Sequence, residues 1–450
     1  MGIEKDIKVE KYPSYKDSSI EWIGEIPKFW KSERLASILN SVSERSGTDL
    51  PLLSITREKG VIIRDLDNEE ENHNFIPDDL SNYKVIRKGQ FGMNKMKAWQ
   101  GSYGISDQDG IVSPAYYIFQ LRNDIDSRYF HLAIRSRLYI SFFGSASDGV
   151  RIGQWDLSRD RMKNIPFLIP PLPEQTAIAV FLDHKTALVD QAIGIKQKQI
   201  ELLKERRQIL IHKAVTRGLN PNVKMQNSGV EWIGEIPEGW EVKRLKTVLQ
   251  DGKDGIRIGP FGSSIKSEIL KPTGFKIYGQ EHVIADDFNI GGKYIDDIDF
   301  NRLSNYELFA GDIVITMMGT TGKCKVVPNT IERGIMDSHL IRVRTKINIA
   351  NPEFVSFLIN DSKYIFNQIK LRSKGSIMEG LNSSIVKSLH LLLPPINVQK
   401  EILLNRDETN SKFNTAITLK EQEIEKLKEY KATLINSAVT GKIKVYNDAK

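Results

Sequence analysis

Apolar residues at Ile193, Ile200, Leu203, Leu210 and Ala214 fall at the a and d spacings of a heptad, which predicts a long amphipathic helix with one buried seam. The stretch from Glu174 to about Arg217 has no proline and a single glycine, Gly194. The pattern returns at Ile417, Ile424, Leu427, Leu434 and Ala438. Lys196 and Arg207 interrupt the first seam, and Lys420 and Lys431 interrupt the second at matching places. Each stripe needs a partner to bury it, and the nearest candidate is the other copy. Gly218 and Gly441 stand where helix C-caps are expected. Roughly 33 residues at a rise of 1.5 Å give a rod of about 50 Å.

The helices belong to a larger repeat. Glu21-Trp-Ile-Gly-Glu-Ile-Pro27 recurs as Glu231-Trp-Ile-Gly-Glu-Ile-Pro237, and Trp30 and Arg34-Leu35 match Trp240 and Arg244-Leu245 at the same offset of 210. At an offset of 224, Pro170-Pro171, Gln175, Asp183 and Ala214-Val215-Thr216 match Pro394-Pro395, Gln399, Asp407 and Ala438-Val439-Thr440. Between these blocks, residues 36–165 and 246–390 share only traces. Each half is therefore a common frame around a variable insert, in a period far longer than a solenoid repeat. The duplication implies a pseudo-two-fold molecule. Under that symmetry the first helix carries the chain to the second insert and the second helix carries it back. The two helices should then run antiparallel with one insert at each end.

The inserts read as mixed α and β. Short apolar runs at Leu52–Ile55, Gly311–Thr316 and His339–Arg344 are bounded by turn residues and predict strands. One helix is expected late in each insert, at 127–142 and 351–369. The fold class expected is α+β, with globular mixed α/β domains at 1–168 and 221–392 and helical spacers at 169–220 and 393–450.

Composition narrows the function. The 450 residues carry 64 Lys and Arg against 57 Asp and Glu, a formal charge of +7, which favours a polyanionic partner. Hydrophobic residues make up 40%, enough for a real core. The single cysteine, Cys324, excludes an internal disulfide framework and a cluster of Cys metal ligands. No apolar run reaches the ~18 residues of a membrane span, and the polar N-terminal segment is not a signal peptide. A cytoplasmic protein with no membrane contact is expected.

Catalytic motifs are missing. There is no H-E-x-x-H or C-x-x-C. The seven histidines (73, 131, 184, 212, 282, 339 and 390) are scattered. Gly319-Thr-Thr-Gly-Lys-Cys324 lacks the first glycine and the final Ser or Thr of a phosphate loop. Asn351-Pro-Glu-Phe354 lacks the second proline of an N-P-P-F signature and reads as a helix start, with Asn351 as N-cap and Pro352 at the first position. No metal site is expected.

The features present suit a nucleic acid. Residues 81–103 contain Lys84, Arg87, Lys88, Lys95 and Lys97 and no acidic residue. Within that segment Asn94, Lys95, Lys97, Trp99, Gln100 and Tyr103 interleave cations, amides and aromatics, the side chains that contact phosphates and base edges. In the second insert, Arg257, Ser263, Ser264 and Lys266 lie on a glycine-rich loop, and Gln280, His282, Thr321 and Lys323 lie on further polar loops. Glycines of this kind permit close backbone approach to a phosphate, or make a tight turn.

Two repeated frames, W-I-G-E-I-P entry blocks and a Pro170-Pro-Leu-Pro-Glu-Gln175 exit before a heptad helix resemble the specificity subunit of a type I restriction–modification enzyme. Gly259-Pro-Phe-Gly-Ser-Ser-Ile-Lys266 and Gly110-Ile-Val-Ser-Pro-Ala-Tyr116 are similar to loops of that family's target recognition domains. The second exit, Pro394-Pro-Ile-Asn-Val-Gln399, departs from the pattern by lacking glutamate before its glutamine. The resemblance implies that each insert reads one half of a bipartite, asymmetric target in double-stranded DNA. It implies that the helices fix the unread gap, being longer than one DNA turn of about 34 Å. They would also dock two methyltransferase subunits, with Ile193, Ile200, Leu203, Leu210, Ile417, Ile424, Leu427 and Leu434 as partner-binding positions. Two restriction motor subunits would join them. S-adenosylmethionine and ATP with magnesium would be bound by those partners, with no cofactor and no catalytic residue in this chain. Two other readings stand beside it, a duplicated coiled-coil adaptor that binds only proteins and a self-contained methyltransferase–nuclease. The acid-free basic segment argues against the first and the lack of a cofactor loop against the second.

Overall fold

The computed structural model describes residues 10–45, 49–65, 79–149, 155–373 and 381–445; His73 lies outside them. The chain divides into two compact units, residues 1–197 with 421–450 and residues 198–420. Each unit takes part of both long helices, whereas the sequence division set the helices apart as spacers.

In the first unit, β1 (Lys31–Arg34) leaves the entry block and β2 (Leu39–Val42) starts the insert. Then follow β3 (Phe91–Met93), β4 (Tyr103–Ile105) and β5 (Tyr117–Leu121). They form an antiparallel sheet in the order β4-β3-β5-β2. Helices α1 (Ser127–Ile134) and α2 (Arg137–Ser145) cover it. β6 (Pro166–Ile169) then pairs antiparallel with β1 and closes the insert at its own neck.

Helix α3 runs from Leu172 to Arg217, 46 residues. It is longer than the seam alone predicts, because the chain enters the helix within the proline block, where Pro173 stands in the first turn and needs no amide donor.

The second unit repeats this plan. β7 (Glu241–Arg244) leaves the entry block. β8 (Ile256–Ile258), β9 (Ile313–Thr316), β10 (Cys324–Val326) and β11 (Leu340–Val343) form an antiparallel sheet in the order β10-β9-β11-β8. Helices α4 (Pro352–Asp361) and α5 (Lys363–Ser373) follow. β12 (His390–Leu393) pairs with β7 at the neck, and α6 (Ile396–Val439, 44 residues) leaves it.

The predicted strands are present at β9, β11 and Leu53–Thr56. Asn351 caps α4 through its side chain and Pro352 opens the helix, as the sequence implies. Where one late helix is expected in each insert, two are found. In the first, Ser136 is extended and starts a new helix. In the second, Ser362 is extended between α4 and α5. The break turns Tyr139 and Tyr364 inward, and their hydroxyls accept the amides of Leu168 and Leu392 on the neck strands at 3.0 and 3.2 Å.

The repeated residues hold the necks. Trp30 and Trp240 are buried. Gly218 and Gly441 adopt left-handed φ of +74° and +71°. A Cβ on Gly218 would lie 3.3 Å from Trp240, and one on Gly441 would lie 2.3 Å from Pro27. Glycine is therefore required at both helix ends for conformation and for space. Glu174, absent from the second copy, accepts the Tyr12 hydroxyl at 2.5 Å; Val398 stands in its place and packs on the core.

The long helices run antiparallel in each unit. In the first, Asp190 meets Lys431 at 2.7 Å and Lys196 meets Glu423 at 2.5 Å. In the second, Arg207 donates to Asn414 at 2.8 Å. Lys196, Arg207 and Lys431, three of the cations that interrupt the seams, thus make cross-helix polar contacts, and such contacts select the register.

Candidate nucleic-acid interface

In the first unit, residues Lys95–Gln100 form a short 3₁₀ turn between β3 and β4. Asn94 is buried and caps that turn by accepting the amide of Met96. Tyr103 is fully buried, edge-on to Phe91 and tilted against Phe143. Burial pushes its hydroxyl far above the usual tyrosine range. Neither side chain is available to DNA, which corrects two sequence assignments. Trp99 is half-buried against Trp155 at 5.0 Å. Lys95 pairs with Asp156 at 2.9 Å. Lys97 is exposed and Gln100 half-exposed.

The basic segment also loses Arg87, which pairs with Glu44 and Asp109. Lys84 keeps a different role. Its ammonium donates to the Tyr116 carbonyl at 2.7 Å, and its pKa is held below the usual lysine value by burial and by the fields of Arg45, Arg159 and Lys95. Arg159 also lies 5.7 Å over the Tyr117 ring. Four cations therefore gather beside Tyr116 and Tyr117. Arg45 and Arg159 were missed in the sequence, because they are far from the basic segment and only the strand pairing brings them together.

In the second unit three loops meet at one end of the sheet. The amide of Gly259 donates to Leu340, and a Cβ at Gly259 would overlap the Asp337 carbonyl at 1.6 Å, so the glycine is required for contact with the turn at 337–339. Met317 donates to the His339 carbonyl. Gln280 accepts the Met318 amide at 3.2 Å. Ser263, Lys266 and Lys323 are exposed around this meeting point, and Ser264 and Thr321 are half-exposed. The exposed Phe261 (85%) and His339 belong to the same cluster and were not anticipated. The G-P-F-G spacing was the available signal for Phe261, since glycines on both sides leave an aromatic at a loop tip. Arg257 is not on the loop. It lies in β8, half-buried, 5.9 Å under the Tyr306 ring.

His282 is the third correction. It is 1% exposed, and its ring nitrogens are taken up by the Gly279 amide at 3.0 Å and the Ile290 carbonyl at 2.9 Å. It fastens the short helix it belongs to.

The partner-binding assignments need the same treatment. Ile200, Ile417 and Ile424 are buried, and Ile193, Leu203, Leu210, Leu427 and Leu434 are half-buried. These positions are spent on packing within the chain. The outward face of α3 instead exposes Leu188, Ile195, Leu202 and Ile209, each seven residues from the next, and α6 exposes Leu404 and Leu419.

Comparison with known proteins follows the same lines. Residues 237–429 match the family model described as the type I restriction modification DNA specificity domain. This match supports a type I restriction–modification specificity subunit. A relative, the type I restriction enzyme MjaVIII specificity subunit of Methanocaldococcus jannaschii, is 26% identical over 365 residues, 78% of this chain and 79% of its own. A chain from a structure titled for complex assembly and conformational transition of the type I R-M system covers 92% of this one with a TM-score of 0.67 at 14% identity. The HsdS subunit from Thermoanaerobacter tengcongensis covers 93%, with a TM-score of 0.52 at 14% identity. Both structures share the fold, two mixed α/β domains with long helices. The same matches support a part in a type I assembly and are consistent with a component that recognises DNA without catalysis of its own. Neither the adaptor nor the self-contained enzyme matches these relatives. Among the described residues no cluster of metal ligands occurs, and no helix is long and apolar enough to cross a membrane.

Proposed function

We propose that the two units of this specificity subunit each read one half of a split, asymmetric double-stranded DNA target. One observation carries the reading: two sheets of identical strand order present unlike loop sets. The first unit offers Lys84, Lys95, Lys97, Gln100, Arg45 and Arg159. The second offers Ser263, Ser264, Lys266, Gln280, Thr321, Lys323 and His339. Cations supply affinity through phosphates, and amides and hydroxyls supply base choice at ~1–3 kcal/mol per good contact. Unlike loops on equal frames imply unlike half-sites.

The long helices set the gap. At 46 residues, α3 is roughly 69 Å long, twice a DNA turn. Its exposed heptad stripe suits a helix of a partner. The partners of this reading are two methyltransferase subunits carrying S-adenosylmethionine, joined by two ATP- and magnesium-dependent restriction subunits.

The test is DNA binding by the complex isolated with its modification subunit. Lys323→Ala and Lys97→Ala are each expected to weaken binding and to lower the slope of log K against log salt by about one. Ser263→Ala is expected to relax sequence choice while leaving that slope unchanged. Salt-independent or absent binding by the unaltered complex would contradict the reading.

A further inference from the structure

Three arginines of the second unit converge on one carboxylate. Arg342 on β11 stands opposite Arg257 on β8 in the strand register, and Arg344 follows just past the end of β11, two residues on from Arg342, so all three are directed to one face. Arg257, Arg342 and Arg344 approach the same Asp254 oxygen at 3.8, 3.7 and 4.0 Å. None of these distances is a hydrogen bond. Asp254 itself is 65% exposed, on the short turn Gly252–Asp254. It is a loosely held counter-ion.

The arginines behind it are firmly held. Arg342 is 1% exposed and donates from Nη1 to the Glu307 carbonyl at 2.7 Å. Its Nε and Nη2, and the Nε of Arg257, are buried without a hydrogen-bond acceptor. Arg344 is bound bidentately by Asp312 at 2.6 and 3.0 Å. The nearby Glu307 carboxylate is taken by Arg333 at 2.8 Å. Three cations thus face two carboxylates, and one of the two is Asp254. Burial first, and then the neighbouring arginines, push the Arg342 guanidinium down to about 10.

The fold does not demand this arrangement. In the first unit the position matching Arg342 is Ile118, paired with Val42 and Gly92 in the same sheet order and packed in an apolar cluster. An apolar residue serves the sheet at lower desolvation cost. One of the three, Arg257, also lines a groove of about 860 Å³ with Lys246, Lys253, Lys346 and Lys387.

We infer that Arg257, Arg342 and Arg344 form a binding site for a DNA backbone phosphodiester, and that Asp254 occupies it until DNA displaces it. The site rests on the DNA-reading role proposed above and adds to it an internal competitor. A carboxylate at 3.7–4.0 Å from three guanidinium groups is too small for the space. A phosphodiester, with its non-bridging oxygens splayed about phosphorus, can accept from two or three at once.

The test is binding of a duplex without a methylation target to the complex isolated with its modification subunit, titrated across salt. Asp254→Asn should bind about 3–10-fold tighter and steepen the salt slope by about one. Arg257→Gln should weaken binding by a similar factor and flatten the slope. Arg342→Met, which imitates the apolar residue of the first unit, should do the same. If the unaltered complex binds DNA and Asp254→Asn and Arg257→Gln change neither affinity nor slope, the site is overturned while the DNA-reading role stands. If the unaltered complex does not bind, the DNA-reading role fails first and this site with it. Inorganic sulfate is the control for a free anion. If sulfate raises the melting temperature of the unaltered chain but not of Arg257→Gln, and DNA binding ignores every variant, the ligand is a free oxyanion and the DNA assignment is overturned.

Discussion

Replacing Gln399 by leucine is expected to destabilise the second unit by about 4 kcal/mol. The side chain is fully buried and makes three hydrogen bonds. It accepts the Asn351 amide at 2.9 Å and donates to the carbonyls of Ile349 at 2.8 Å and Pro394 at 2.9 Å. Leucine would leave one buried donor and two buried acceptors unmet. Gln175 makes the same three contacts in the first unit, with the Asp126 amide and the carbonyls of Asp124 and Pro170, so Gln175→Leu should have a similar effect there. Glutamate at either position is expected to be no better. Its second oxygen would face two carbonyls where the amide now donates. The measurement is hydrogen exchange at the amides of Asn351 and Asp126 and along β12 and β6. A loss of protection below about 1 kcal/mol would show that the glutamines do not tie the long helices to the inserts.

Asp312→Asn is expected to destabilise the second unit by about 3 kcal/mol, because breaking one side of a buried pair strands the other charge. Asp312 is 4% and Arg344 15% exposed at the side chain, so solvent screens little of the loss. The substitution also leaves Arg257, Arg342 and Arg344 facing Asp254 alone. Exchange of the amides of β9 and β11 should quicken accordingly, and Arg344→Leu in the same chain should recover part of the loss. Unchanged exchange in Asp312→Asn would mean that the arginine face is already solvated, and the counter-ion argument for Asp254 would lose its footing.

The frames were legible because their signals are local and doubled. The heptad stripes, Gly218 and Gly441, and the Asn351-Pro352 start each follow from spacing and backbone chemistry within a few residues. The repeat then placed the second copy without further evidence. The half-site loops were only partly legible. Asn94, Tyr103 and His282 are polar residues in polar surroundings by sequence, yet each is buried and satisfied by, or packed on, its own unit. Residue type alone does not separate a capping asparagine from a base-reading one. Tyr103 is harder still, since all three residues of β4 are buried and no alternation marks an outward face.

What the sequence concealed depends on register. Arg342 and Arg344 read as ordinary charges at the end of a strand. Only the pairing of β11 with β8 sets Arg342 against Arg257, and only the turn at 252–254 brings Asp254 over them. Lys84, Arg45 and Arg159 in the first unit are gathered in the same way from distant segments. The heptad residues show the converse. Their pattern was correct, and their use lies in holding the chain's own two helices together, while the outward stripe of α3 stays exposed.

The central claim is that two unlike units on one frame read two unlike half-sites at a fixed spacing. The most direct measurement is to co-express the chain with the modification subunit of its source and map methylated bases across a plasmid library by single-molecule sequencing. The account predicts one split motif with different halves and a constant gap. A single uninterrupted motif, or a palindromic one with equal halves, would contradict it.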